Sequence, residues 1–338
     1  MSASPAAPLA GPASDAPRNV VSCVFDDVNL LNLSGPLHCF ATLDRVVGTE
    51  GRKHYASWVV SARGGLVRTS AGLEIATQPL SALDDRPIDT LLVPGGPGLT
   101  HIEAVDELVA WVATRAPSVR RVCAIGAGMA VLAAAGLLDG RHAVSHWSSL
   151  QGMARRFPNV RLQSDALFLR DGPYWTTAGG AAGIDLALSL IREDYGQRLS
   201  LEVARFLVMY AKRSGDEPQM SSALVTQAGA GGRFEQLAEW IAANLDRPLS
   251  LSMLAHEAGM SVRNFSRAYL DATGASPMKT VEAMRLDLAA RLLSEPGRQI
   301  PEVARRAGFG DDERMRRAFL RRYGVSPLEY RQRLGGVS

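Results

Sequence analysis

The stretch RVCAIGAGMAVLAAAGLL, Arg121 to Leu138, has the layout of a catalytic corner. A short apolar strand runs into a tight turn at Gly126 and Gly128, and an alanine-rich helix follows. Strand-to-helix corners of this kind push one nucleophilic side chain out of a sheet. Here the tip is Gly126, which has no side chain to present. Cys123 stands earlier, inside the strand, where a side chain is packed rather than offered to substrate.

Covalent hydrolysis needs a nucleophile with a base in reach. His38, His54, His101, His142, His146 and His256 show no metal-binding spacing. His142 and His146 are four apart, but a short strand is expected to end there. A histidine beside Trp147 is more often packed and hydrogen-bonded than catalytic. Ser145, Ser148 and Ser149 show no partner that would activate them. Asp185, in GIDLAL, reads as a first-turn charge favoured by the helix dipole rather than as a general base. The GGPG run at residues 95–98 lacks the Gly-Lys-Ser/Thr ending that holds a nucleotide. The sequence therefore predicts no catalytic residue, no metal and no cofactor.

Around these residues, from Asn19 to about 212, strands alternate with helices. NVVSCVF, HYASWVVSA, DTLLVPGG and RRVCAIGA have strand length and composition, and IEAVDELVAWVATRA and GIDLALSLIREDYG read as helices. That alternation predicts an α/β domain with a mostly parallel sheet covered by helices. Residues 1–18 are rich in Ala, Pro and Ser without a basic start and apolar block, and read as a disordered tail rather than a secretory signal. Residues 213–232 carry Gly and polar residues with no sustained period and read as a linker. From 233 to 334 strands vanish and short amphipathic helices follow one another.

The 338 residues suffice for two cores, and 46% hydrophobic with 21% charged residues is ordinary for a globular protein. No apolar run is long enough for a membrane span, and three scattered cysteines suit a reducing compartment, so a cytoplasmic location with no membrane partner is expected. The net charge of +3 is unevenly spread. Residues 233–338 hold 17 Lys+Arg against 13 Asp+Glu, and 16 of those cations are arginine. A planar guanidinium fork suits phosphates and guanine edges, which hints at nucleic acid.

The helical half contains a repeat. LAHEAGMSVRNFSRAYLDATGASP and VARRAGFGDDERMRRAFLRRYGVSP align with one offset after the second glycine. Each reads as helix, glycine turn, helix: the helix-turn-helix plan. In the first copy Ser261 can cap the second helix, with Phe265 and Tyr269 facing the core. In the second copy Asp311 or Asp312 caps, with Met315 and Phe319 inward. A plain helical bundle with solvated charges would account for one copy, but two copies in register with Arg outside the core stripe favour a DNA reader.

Residues 233–334 resemble the DNA-binding domain of the AraC/XylS regulators, on that repeat and on MRLDLAARLLSE between its halves. The resemblance implies two helix-turn-helix units joined by a long helix, about Met278 to Leu293, whose second helices enter successive major-groove segments. Carried over by position, base contacts fall on Arg263, Ser266 and Arg267, and on Asp312, Glu313, Arg314, Arg316 and Arg317. Asp312 and Glu313 depart towards acid; they either accept from cytosine amino groups or cap.

Residues 19–212 resemble the ThiJ/PfpI branch of the class I glutamine amidotransferase-like superfamily, on NLLNLSGPLHCF, LLVPGGPG, GAGMAVLAAAGLLDGRHAVSHW and TTAGGAAGIDLALSLI. This implies a flavodoxin-like sheet with helices on both faces. Joined to an AraC-type domain, it is similar to the layout of GlxA-like transcriptional regulators. Catalytic members carry Cys at the corner, often followed by His; here Gly126 and Ala127 stand there. The expectation is an inactive pocket turned into an effector site lined by Asn32, Gly96, Gly126, Ala127 and His146. The effector class implied is a small amino acid or quaternary amine, with any anionic group favoured by N–H groups after Gly126. The partners expected are double-stranded promoter DNA, a small-molecule effector, RNA polymerase and a second copy in a homodimer. The alternatives are a ThiJ/PfpI-type hydrolase or isomerase that carries a DNA-binding domain, and a DNA binder whose N-terminal domain is purely architectural.

Overall fold

The computed structural model describes residues 16–48, 53–209, 212–222, 224, 234–294 and 297–335. The chain divides into two compact units, one ending at Gln219 and the other beginning at Met220. Positions 1–15 of the expected tail, and positions 210–211, 223 and 225–233 around the expected linker, lie outside the described residues.

The first unit is built on an eight-stranded sheet. Its strands are β1 (Arg18–Cys23), β2 (Tyr55–Ser61), β3 (Arg63–Arg68), β4 (Glu74–Pro79), β5 (Thr90–Pro94) and β6 (Arg121–Ile125), then β9 (Phe168–Asp171) and β10 (Tyr174–Thr177). Between them in sequence, β7 (His142–Val144) and β8 (Arg161–Gln163) form a separate parallel pair. The order across the sheet is β3-β4-β2-β1-β5-β6-β10-β9. All neighbours run parallel except β3 on β4 and β10 on β9, so antiparallel hairpins close both edges. The helices are α1 (Leu30–Val47), α2 (Asp106–Arg115), α3 (Met129–Ala134), α4 (Leu150–Arg156), α5 (Ala182–Tyr195) and α6 (Gln197–Phe206).

The strand period divides the core. Val21 and Cys23, Leu91 and Val93, and Val122 and Ala124 point to one face, against Leu108 and Val112 of α2 and Val131 of α3. Val20, Leu92, Cys123 and Ile125 point to the other, against Phe40 of α1, Leu190 of α5 and Val203 of α6. Burial on both faces is why β5 and β6 read as unbroken apolar runs. The predicted helix at 102–116 starts as a tighter 3₁₀ turn and becomes α-helical at Asp106.

At the amino ends of the strands lies a buried ion network. The side chains of Arg121 and Asp194, 3% and 1% exposed, pair at 2.6 Å. Asp194 also receives Arg120 at 2.8 Å and the Tyr55 hydroxyl at 2.6 Å. Asp89 joins Arg18 and Arg120 to the same cluster. Arg18 thus belongs to the sheet, not to the expected tail.

Two sequence expectations change at the far end of this unit. The stretch read as linker is bound to the unit through residue 219. Arg213 donates its backbone N–H and its guanidinium to Asp185, and the Gly215 carbonyl accepts from Leu167 and Phe168. Asp185 is in the first turn of α5, as expected, but it is fully buried and serves as this anchor. Burial raises its pKa, against the opposing pull of Arg213.

The second unit is all helical: α7 (Glu235–Ala243), α8 (Leu251–Glu257), α9 (Val262–Thr273), α10 (Pro277–Ser294), α11 (Ile300–Arg306), α12 (Asp312–Tyr323) and α13 (Pro327–Gly335). The pairs α8–α9 and α11–α12 are the two expected helix-turn-helix units, and α10 is the long joining helix. Among the described residues no helix is long and apolar enough to cross a membrane.

Asp194 supplies a stability test. Burial alone would raise its pKa, but hydrogen bonds and charge from Arg120, Arg121 and Tyr55 hold it below the carboxylate value of 3.8. Its folded pKa being the lower, its contribution is complete above the unfolded value and is lost as pH falls through the folded one. Asp194→Asn should cost about 3–5 kcal/mol at neutral pH by leaving buried arginine unpaired. Urea melts at neutral pH and near pH 3 should show this deficit shrinking on acidification.

Candidate functional site: the corner of the sheet and the paired reading helices

The corner at Gly126 forms as the sequence predicts, with φ +61. L-residues with a Cβ are strained there, by about 1–2 kcal/mol. A nucleophile at this tip would carry that strain, and glycine removes strain and nucleophile together. A Cβ on Gly126 would meet the Cα of Gly179 at 3.3 Å and the Asn32 side-chain nitrogen at 3.4 Å.

Asn32 braces this corner. Its Nδ2 donates to the Gly95 carbonyl at 3.1 Å, and its Oδ1 accepts the Gly180 N–H at 2.7 Å. The residue is placed by α1, whose first turn is capped by the Asn29 side chain accepting from Leu31 and Asn32. Gly35 keeps α1 close to α5, since a Cβ there would lie 3.0 Å from Ile184. The GGPG run and the Gly179–Gly180 turn are therefore tied to one amide beside Gly126.

The other expected lining residues divide. Ala127 follows the tip and is partly exposed. Gly96 is also partly exposed, but a Cβ there would collide with the Asp27 carbonyl oxygen, so this glycine serves close packing of its loop on residues 27–29. Ser145 donates its hydroxyl to the Gly126 carbonyl at 3.2 Å, which brings the start of the His146 loop to the corner. The His146 ring is engaged locally. Its Nδ1 lies 2.7 Å from the Ser148 hydroxyl and accepts the Ser148 N–H at 3.3 Å. Ser148 therefore has a histidine partner, contrary to expectation. Burial lowers the His146 pKa, which favours the neutral ring. The helix after the corner, α3, has only six residues, so its dipole is smaller than a long helix would supply.

Sequence reading missed Gln219. Its Oε1 accepts the Trp147 N–H and its Nε2 donates to the Ser145 carbonyl, both at 2.9 Å. The last residue of the first unit thus clamps the loop that carries His146. An isolated Gln at the edge of a polar stretch gives no pattern from which this clamp could be read.

Cys23, Cys39 and Cys123 are all buried and unpaired. Burial pushes the Cys39 and Cys123 thiols up to about 12 and the Cys23 thiol higher. Burial of this kind favours the protonated thiol over the thiolate.

In the second unit the capping expectations are met. The Ser261 hydroxyl accepts the Asn264 N–H, and the Asp311 carboxylate accepts the Arg314 N–H at 2.7 Å. Phe265, Tyr269, Met315 and Phe319 are fully buried. This turns Arg263 and Arg267 of α9, and Asp312, Glu313, Arg314, Arg316 and Arg317 of α12, outward. The Ser266 hydroxyl donates to the Val262 carbonyl within α9. Glu313 holds Arg316 through two contacts, at 2.7 and 3.0 Å, and lies 3.8 Å from Arg317. Both capping and base contact had been open for Glu313; its carboxylate is occupied by Arg316, and Asp311 is the cap.

A corner with glycine at its tip thus stands in one chain with two capped helix-turn-helix units that present arginine, the layout of a DNA-binding regulator. Residues 18–193 match the DJ-1/PfpI family and residues 254–333 match the helix-turn-helix domain family. The chain belongs to the DJ-1/PfpI family, in the lineage that carries a DNA-binding domain, and it is a DNA-binding transcriptional regulator. It is 28% identical over 328 residues to the HTH-type transcriptional regulator GbdR of Pseudomonas aeruginosa, spanning 96% of this chain and 87% of that protein. It is 31% identical over 264 residues to the HTH-type transcriptional regulator Rv1931c of Mycobacterium tuberculosis, spanning 73% of this chain and 95% of that protein. The crystal structure of a THiJ/PfpI family protein from Pseudomonas syringae is similar at 25% identity and TM-score 0.53, covering 70% of this chain and 93% of that one.

Two measurements check the corner. Gly126→Ala should lower stability by about 1–2 kcal/mol in a denaturant melt, the cost of a Cβ at positive φ. A maleimide probe at pH 8 should leave the folded chain unlabelled and mark all three thiols once it is unfolded.

Proposed function

We propose that the first unit is a non-catalytic sensor for a small metabolite, and that its occupancy sets how the second unit engages promoter DNA. The observation that carries this is the glycine at the catalytic corner, kept at φ +61 and braced by Asn32. With the thiols buried, the proposed effector pocket lies around Gly126 at the carboxyl ends of the parallel strands, where open α/β sheets usually take ligands. Asn32 and Gly96 shape its walls, while Ala127, His146 and the Gly126 backbone are the groups that would meet an effector of amino acid or quaternary amine type. A ligand that moves the Ser145–Trp147 loop also moves Gln219, the residue after which the second unit begins. Such a ligand regulates only through unequal affinity for two arrangements.

On the DNA side, Arg263 and Arg267 of α9 and Arg314, Arg316 and Arg317 of α12 are the proposed base and phosphate contacts. Arg316 must leave Glu313 to take part. Ser266, Asp312 and Glu313 remain as weaker, acceptor-type contacts. A homodimer would place such heads on repeated half-sites, with RNA polymerase as a further partner.

A second reading, in which the chain is an enzyme, rests on the His146–Ser148 pair, because the DJ-1/PfpI family includes enzymes. The two residues are two apart, and the same ring nitrogen accepts the Ser148 amide, which is how a local turn is closed. Ester turnover by the wild-type chain that disappears in Ser148→Ala would install this reading in place of the sensor.

Calorimetry against a panel of amino acids and quaternary amines should give a saturable signal that Gly126→Phe abolishes; no signal from any compound would remove the sensor role. Arg267→Ala and Arg317→Ala should each weaken binding to a selected duplex by about 1–3 kcal/mol while affecting random duplex less. Equal losses on both duplexes, measured by fluorescence anisotropy, would make these arginines phosphate contacts.

A further inference from the structure

The two reading heads have separate cores. Phe234, Ile241, Leu254, Phe265, Tyr269 and Met284 pack in the first, and Leu293, Val303, Phe309, Met315, Phe319 and Tyr330 in the second. Helix α10 supplies residues to both, and Leu288 packs partly against each. Beside this narrow junction lie two clefts. One, of about 320 Å³, is lined by Glu282, Arg285, Phe309, Arg314 and Arg317. The other, of about 470 Å³, is lined by Ala242, Leu245, Asp246, Leu288, Arg305 and Arg306. Apolar packing alone therefore makes a thin joint, about which two small bodies could rock.

A polar contact spans it. Arg285, mid-way along α10, donates Nε to the Leu245 carbonyl at 3.1 Å and Nη2 to the Arg247 carbonyl at 2.6 Å. Those carbonyls lie in the segment that leads from α7 into the first helix-turn-helix unit. Gly308, in the turn of the second unit, presses on the same place. It has φ +78, and a Cβ there would collide with the Leu245 carbonyl oxygen and lie 2.7 Å from Arg285 Nε. Its counterpart in the first repeat, Gly259, has φ +64 and nothing within 4 Å of an added Cβ. The two glycines share a backbone conformation, and only one is a joint between heads.

We propose that Arg285 and Gly308 are positioning residues that lock the angle and separation of the two reading helices, and so set the base-pair spacing the regulator accepts between its two recognition segments. The arginine acts through backbone carbonyls, which fix direction as well as distance, and the glycine allows the second head to sit flush against them. This rests on the reading that both α9 and α12 contact one duplex.

The test uses the full chain and a duplex that it selects from a random pool. From this duplex a series is made in which the interval between the two contacted segments is lengthened or shortened by one to about five base pairs, the last being half a helical turn. Wild type should bind the selected interval best and lose about tenfold or more at the half-turn, equivalent to losing one head's base contacts. Arg285→Met, which keeps the helical stem, and Gly308→Ala should bind the selected interval about tenfold more weakly and show a flattened spacing profile. Gly259→Ala carries the same backbone strain without the collision and should keep the wild-type profile. Circular dichroism melts identify any variant that has unfolded, and Arg285→Lys, which restores one donor, should recover part of the spacing preference. A sharp wild-type profile retained in both Arg285→Met and folded Gly308→Ala overturns the joint alone. A wild type indifferent to spacing overturns the two-head reading and the joint with it.

Discussion

One side-chain amide holds the mouth of the α/β unit together. Asn32 reaches the Gly95 carbonyl with its nitrogen and the Gly180 N–H with its oxygen, so the loops after two strands and the first turn of α1 are fixed to a single planar group. A buried amide is costly unless both ends are satisfied, and here both are. The arrangement leaves little room at Gly126, where an added Cβ would lie 3.3 Å from the Gly179 Cα and 3.4 Å from the Asn32 nitrogen. A side chain at this tip would carry that crowding together with the strain of a positive φ. Glycine avoids both and leaves a relaxed turn.

The reading half meets a different constraint: many like charges must stay soluble and available. Intramolecular pairing does part of this. Glu313 gathers Arg316, and Glu282 gathers Arg321 at 3.0 Å. These pairs are exposed, so each contributes little to stability.

Much of this was legible in sequence because it is periodic or punctuated. Strand-length apolar runs exposed β1, β2, β5 and β6, and the three- and four-residue spacing exposed the reading helices. Ser261 and Asp311 could be placed as caps because an N-cap is a local geometry with local donors. Less was legible where partners lie far apart in the chain. The hairpins at the sheet edges have mixed exposure and no clean alternation. Helix α1 was not read from the sequence; it contains Gly35 and Pro36, residues that carry no helix signal of their own. The boundary between the units was misplaced because polar residues at 213–219 are bound by Asp185 and by the 145–147 loop, contacts that no window along the chain contains. The site residues fared the same way: the corner was found from its glycines, but Gln219 and the His146–Ser148 contact are products of folding.

The burial of all three thiols, two on strands of the sheet and Cys39 on α1, has a chemical corollary. The folded chain offers no cysteine thiol to peroxide or electrophiles, while Met253 and Met278 keep exposed thioethers that peroxide can reach.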